Sequence, residues 1–90
     1  MEIVVNGRAY SMDPNDSNGV YLLWSMVMQV VALYPSLSAD QIGSLMAERF
    51  GDSSAFYLAM VSAFFEWNAQ QVQLPEPFSL EFLRQHGFPF

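Results

Sequence analysis

His86 is the only histidine of the sequence, and it stands between Gln85 and Gly87 near the C-terminus. A histidine acts as a general base only when a nucleophile and an orienting carboxylate meet it in space. The sequence contains no Gly-x-Ser-x-Gly elbow, His-Glu-x-x-His pair or glycine-rich phosphate loop. Glu48 and Glu66 could form a carboxylate pair, but both fall where a solvated helix face is expected. We therefore expect a helix-end histidine and no catalytic site.

A cluster of turn-forming residues at positions 13–19 is the second candidate for chemistry. An EF-hand loop that begins at Asp13 needs glycine at its sixth position and glutamate at its twelfth. This sequence has Asn18 and Trp24 there. The cluster is better explained as a linker that ends in a helix cap, because such residues bond to their own backbone. No metal site is expected.

Composition narrows the function classes further. The 90 residues include nine acids, three arginines, no lysine and no cysteine, which gives a formal net charge of −6. Without cysteine there is no disulfide framework or thiolate metal site. With three dispersed cations the chain would repel a phosphate backbone, so no nucleic-acid partner is expected. The hydrophobic content of 52% argues against disorder.

The hydrophobic content is also high for the size of the chain. A domain of this length buries only about 60–65% of the surface that its unfolded form exposes. A monomer would then expose large apolar side chains, which usually mark an interface. The sequence therefore predicts a homo-oligomer such as a dimer, or a protein partner. Aromatic residues are enriched at interfaces, and the predicted contact residues are Phe78, Phe82, Leu83, Phe88, Phe90, Trp24 and Trp67.

The N-terminal segment, residues 2–12, predicts a β-hairpin. Asn6 and Gly7 suit a type I′ turn, in which both central residues need positive φ. A two-residue loop pairs Val5 with Arg8 and Ile3 with Tyr10. One face of the hairpin is then apolar and can lie on a helical layer; it carries Met1, Ile3, Val5, Tyr10 and Met12.

Two helices are predicted in the middle of the chain. The first, residues 20–34, is apolar nearly all round except for Ser25 and Gln29, and such a helix belongs in a protein interior. It is followed by Pro35. The second helix, residues 38–50, begins with a capping box and ends at a glycine.

Two further helices are predicted in the C-terminal half. Residues 53–71 form a long helix behind an Asp52 cap. Residues 79–86 form a short helix that is capped by Ser79 and stopped by Gly87 and Pro89. This tail is either a closing helix packed on the core or an apolar arm that docks into a groove on another chain.

The predicted fold is α+β and mostly helical, with the N-terminal β-hairpin packed on a three- to four-helix bundle in a single domain, residues 1–90. Residues 3–10 followed by Leu22-Leu23-Trp24 resemble the opening of the [2Fe–2S] subunits of molybdenum hydroxylases. The resemblance implies a hairpin followed by a helix. Those proteins hold their clusters through cysteines, which this chain lacks, so no cofactor is expected.

These observations predict a small acidic protein that is not an enzyme and acts through protein–protein contacts. The class we expect is a regulator or inhibitor of a host protein, of the sort that phages and mobile elements encode. The alternative is a structural or assembly protein, such as a tail-assembly chaperone or a ring-forming subunit. The longest apolar run, residues 20–34, is shorter than the roughly 20 residues of a spanning helix. A cytoplasmic location without a membrane partner is expected.

Overall fold

The N-terminal hairpin is followed by four helices in the structure, a computed structural model that describes residues 1–51 and 53–88. The elements are β1 (Glu2–Val5), β2 (Arg8–Ser11), α1 (Tyr21–Leu33), α2 (Ala39–Phe50), α3 (Ser54–Gln70) and α4 (Leu80–Gln85). Of the described residues 55% are helical, and the predicted α+β, mostly helical fold class is confirmed. Each helix lies within two residues of the range that the sequence predicts.

The hairpin has the predicted turn and register. Asn6 and Gly7 have φ values of 51° and 80°, as a type I′ turn requires. Val5 pairs with Arg8, and β1 and β2 are antiparallel. The inner face packs on the helices through side chains that are buried, namely Ile3, Val5 and Met12. Met1, which is predicted on the same face, is exposed, although its carbonyl accepts a hydrogen bond from the N–H of Met12.

The linker before α1 differs from the prediction. Asp13 and Asp16 each accept a hydrogen bond from a backbone N–H two residues further on, at 2.9 Å. Their carboxylates therefore stabilise the turns of the linker and not the helix. The N-cap of α1 is Val20, which makes no side-chain capping bond. Its N–H donates instead to the carbonyl of Ser11, which ties the start of α1 to β2.

The ends of α2 follow the predicted chemistry. The Ser38 hydroxyl accepts from the N–H of Gln41, and the Gln41 side chain accepts from the N–H of Ser38, which completes a capping box. Gly51 ends the helix in the left-handed conformation. The predicted Asp52 cap of α3 lies outside the described residues, and Ser53 occupies the N-cap position without a side-chain capping bond.

The core lies between the hairpin and the helices. Rings of Trp24 on α1 and Trp67 on α3 meet edge to face, with centroids 5.7 Å apart. The α2–α3 contact is close because Gly43 has no side chain: a Cβ there would lie 3.0 Å from the Cα of Leu58. The rest of the core is built mainly from methionine and aliphatic side chains of α1, α2 and α3.

Candidate functional site

An apolar cleft of about 130 Å³ lies where α1, α2 and α4 meet. Its floor is made of side chains that the core already buries, among them Met26, Val30 and Met46. Its lining residues are Met26, Val30, Leu33, Tyr34, Leu45, Met46, Arg49, Leu80 and Arg84. Seven of these nine are apolar or aromatic, and the other two are arginines.

The rim of the cleft on the α1 side is formed by Leu33 and Tyr34, which are 52% and 56% exposed. They stand there because α1 stops at this point: Pro35 disfavours helix at the residue before it. The N–H of Tyr34 closes the last turn by donating to the carbonyl of Val30 at 2.8 Å. A large aliphatic and a large aromatic side chain are thus held side by side in solvent at the mouth of the cleft.

The α2 wall of the cleft comes from one stripe of that helix. Leu45 and Arg49 are four residues apart, so they lie on the same face. Arg49 is in the last turn, where a cation is favoured by the partial negative charge at the helix C-terminus.

The α4 wall carries Leu80 and Arg84, again four residues apart. The segment that leads into this helix, the strap (residues 75–79), is bound across α1. The N–H of Phe78 donates to the Ser25 hydroxyl at 3.3 Å, and Gln29 Nε2 donates to the Phe78 carbonyl at 2.9 Å. These bonds hold α4 against α1 and so define the third side of the cleft.

A third contact binds the strap to the same face of α1. The Tyr21 hydroxyl donates to the backbone carbonyl of Glu76. Burial raises the pKa of Tyr21; the hydrogen bond with Ser25 lowers it, and the charge of Glu76 raises it. Tyr21, Ser25 and Gln29 are spaced by four residues, and together they form a polar ladder along an otherwise apolar helix.

Two of the three arginines of the sequence lie at the cleft. The sequence has no lysine, and Arg49 and Arg84 both line this cleft. The third arginine, Arg8, lies at the hairpin with its guanidinium 5.1 Å from the ring centroid of Tyr10. No acidic side chain is found among the described residues that line the cleft. The described lining therefore offers arginine side chains to a ligand and no carboxylate.

Among the described residues, no predicted contact residue lines this cleft. Trp24, Trp67 and Leu83 are 1%, 6% and 0% exposed. They are core residues of this fold, and partner contacts by them stay a prediction.

The tail phenylalanines have a different position. The rings of Phe78 and Phe82 stack at 4.3 Å, and both are half-buried against the core. Phe88 is also half-buried and meets the ring of Phe50 edge to face at 6.0 Å. Phe90 lies outside the described residues. Partner contacts by these residues stay a prediction.

Sequence reasoning missed the residues that do form the cleft. Arg49 falls near the end of the helix predicted at residues 38–50 and was given no role, while Leu33 and Tyr34 fall in the helix that was expected to be buried. The sequence does show that two of the three arginines, Arg49 and Arg84, fall in the last turn of a predicted helix. It does not show that the ends of these two helices lie at the same cleft.

The only histidine of the sequence contacts the backbone and a ring of its own helix. His86 is exposed at the end of α4, with Nδ1 2.9 Å from the Phe82 carbonyl and its ring stacked on Phe82 at 4.0 Å. Within residues 1–51 and 53–88, no three histidine, aspartate or glutamate side chains are grouped so that they could share a metal ion. A search of the same residues finds no helix with the length and hydropathy needed to cross a membrane.

Comparison with known proteins adds no family. No protein-family model, no curated protein and no solved structure matches this chain.

Proposed function

We propose that this protein is a non-enzymatic binding module that docks on another protein through the cleft between α1, α2 and α4. The observation that carries the proposal is the position of Leu33 and Tyr34: two large side chains, more than half exposed, beside an apolar depression. Exposed apolar surface next to a concave apolar site is typical of a place where a partner inserts a side chain.

The chemistry of the cleft supports binding over catalysis. Catalysis needs a general acid, a base or a nucleophile within reach of a reacting atom. The described lining residues supply two guanidinium groups and one phenol among aliphatic and thioether side chains. Guanidinium groups stay protonated and bind anions, so this set orients a ligand without transferring a proton from it.

Exposed apolar side chains support a protein partner. Among the described residues, large apolar side chains are exposed at Met1, Val4, Leu33, Tyr34, Phe50, Leu58, Val72 and Leu74. Such surface usually marks an interface. The function we propose is a regulator or inhibitor that binds a separate target, and the alternative is a self-assembling structural or ring-forming subunit.

The proposal is tested by photo-crosslinking in the native host. The photoreactive residue p-benzoylphenylalanine replaces Leu33 at the cleft mouth, or Leu74, which is exposed in the segment before the strap. We expect one discrete crosslinked protein from position 33 and none from position 74. A product of twice the chain's own mass would instead support self-assembly, and equal products from both positions would contradict the cleft as the site.

Binding of the identified protein is then measured with purified variants. We expect Leu33→Gln to weaken it about tenfold, since losing a partly buried leucine costs about 1.4 kcal/mol or more. Leu74→Gln makes the same chemical change away from the cleft and should leave binding unchanged. Equal affinities for the two variants would overturn the proposal.

A further inference from the structure

We infer that the cleft selects a linear acidic segment of its partner, in which one bulky apolar side chain fills the cleft and a neighbouring carboxylate pairs with Arg84. This inference rests on the proposed function and specifies the chemistry of the partner. It follows from the size of the cleft, the charge of its walls and the surface at its mouth.

The size of the cleft limits its occupant to one side chain. Its volume is about 130 Å³, near the roughly 150 Å³ of an apolar cavity that accepts a benzene molecule. A leucine, isoleucine or phenylalanine side chain fits that space. Sites for cofactors and drug-sized molecules are larger, about 300–1,000 Å³, so the volume of the cleft suits one side chain better than a cofactor.

The charge of Arg84 indicates which kind of residue lies next to the inserted side chain in the partner. Arg84 projects from α4 and is exposed at the cleft. An arginine forms two parallel hydrogen bonds to a carboxylate, which gives strength and direction to the contact. A carboxylate next to the inserted apolar side chain therefore has a partner at Arg84, whereas the net charge of −6 disfavours contacts between an acidic segment and the rest of the protein.

The mouth of the cleft favours a peptide segment over a small free acid. Leu33 and Tyr34 extend the apolar surface beyond the cavity itself. A small carboxylate that filled the cavity would leave both side chains in water. A segment of several residues covers Leu33 and Tyr34 while its central side chain occupies the cavity. The apolar surface that is buried in this way stabilises the complex by about 25 cal/mol per Å².

The test is a selection of peptides by the full-length protein. A library of random 12-residue peptides is displayed on phage and enriched on the immobilised wild-type chain. We expect the enriched peptides to share one Leu, Ile or Phe with Asp or Glu within two positions of it. The dissociation constant of the most enriched peptide, synthesised with a fluorophore, is then measured by fluorescence polarisation at fixed ionic strength.

Two arginine variants provide the matched comparison. We expect Arg84→Gln to raise the dissociation constant of that peptide at least tenfold. Arg8→Gln removes the same charge at the hairpin, away from the cleft, and is expected to change the affinity less than twofold. Arg84→Lys keeps the charge without the two-pronged geometry and should fall between them. Thermal unfolding of each variant verifies that the fold is intact.

The possible failures separate the inference from the proposed function. The inference of an acidic segment would be overturned if the enriched peptides lacked acidic residues, or if Arg84→Gln and Arg8→Gln bound the peptide equally well. In that case, weaker binding by Leu33→Gln would still support the cleft as the binding site. A selection that returns no binder would overturn the linear segment, and the photo-crosslinking experiment would still decide the proposed function. If Leu33→Gln and the wild type bound equally well, the cleft would not be the binding site, and the proposed function would be overturned as well.

Discussion

Gln29 donates a hydrogen bond from its Nε2 to the backbone carbonyl of Phe78, 49 residues further along the chain, at 2.9 Å. One turn earlier on α1, Ser25 accepts from the N–H of the same residue. Both polar backbone groups of Phe78 are thus satisfied by one helix face. Backbone groups in a packed, non-helical segment need partners, and this explains why a helix that is apolar elsewhere keeps two polar residues four positions apart.

Replacement of Gln29 by methionine should loosen the strap. Gln29→Met keeps the length of the side chain but leaves the Phe78 carbonyl without its donor, at a cost of about 1–3 kcal/mol. Urea unfolding should show this loss, and the amides of α4 should exchange faster with deuterium. Gln70→Met, at the exposed end of α3, is the control. Equal stability of the two variants would mean that the bond contributes nothing.

The pH dependence of stability should report the bond from Tyr21 to the strap. The pKa of Tyr21 is raised above its ordinary value near 10, chiefly by burial. The neutral hydroxyl is the donor, so its contribution is present in full below about pH 10 and is lost as the pH rises through the raised pKa. Tyr21→Phe should therefore be less stable than the wild type at pH 7, by about 1 kcal/mol.

Above pH 10 the gap between Tyr21→Phe and the wild type should narrow, because only the wild type has a buried hydroxyl to ionise. Urea unfolding of both proteins from pH 7 to pH 11 measures this. Tyr34→Phe, at an exposed ring, controls for the loss of a hydroxyl and should change stability little at pH 7. A gap that stays constant or widens with pH would show that the hydroxyl is not held by the strap.

What could be predicted from the sequence depends on how far apart the interacting residues are. The hairpin turn at Asn6 and Gly7 and the capping box at Ser38 are settled by residues within three positions of each other, and both are as predicted. The strap contacts depend on residues about 50 positions apart. Gln29 shows in the sequence as a polar interruption, but its partner does not.

The cleft could not be predicted from the sequence for the same reason. Arg49 and Arg84 each lie in the last turn of a separate helix, and their meeting depends on how the strap positions α4 across α1. The predicted interface of tail phenylalanines and tryptophans was based on their aromatic and apolar side chains, and it stays a prediction. Hydrophobicity marks the core as readily as an interface, and the core is where Trp24 and Trp67 lie.

The packing of α2 on α3 should depend on the missing side chain of Gly43. Alanine is favoured over glycine inside a helix by about 1 kcal/mol, so an isolated α2 would gain from Gly43→Ala. In the folded chain the new Cβ would lie 3.0 Å from two backbone atoms of Leu58, and overpacking of this kind costs about 1–3 kcal/mol. We expect a lower melting temperature for Gly43→Ala, whereas Ser44→Ala, at the exposed neighbouring position, should keep or raise it. A rise for both would show that the helices can separate without cost.

Leu83 decides whether the tail is core or a detachable arm. It is fully buried, and replacing a buried leucine with alanine costs about 2–5 kcal/mol when its contacts belong to the cooperative core. We expect Leu83→Ala to lower the free energy of unfolding of the whole chain by that amount, and Leu80→Ala, in the same helix but only half-buried, to lower it less. If Leu83→Ala changes only the deuterium exchange of α4, the tail opens independently as an arm. The expected result has a consequence for binding: with α4 fixed in the core, Leu80 and Arg84 stand in place before a partner arrives, and the cleft costs no folding energy to form.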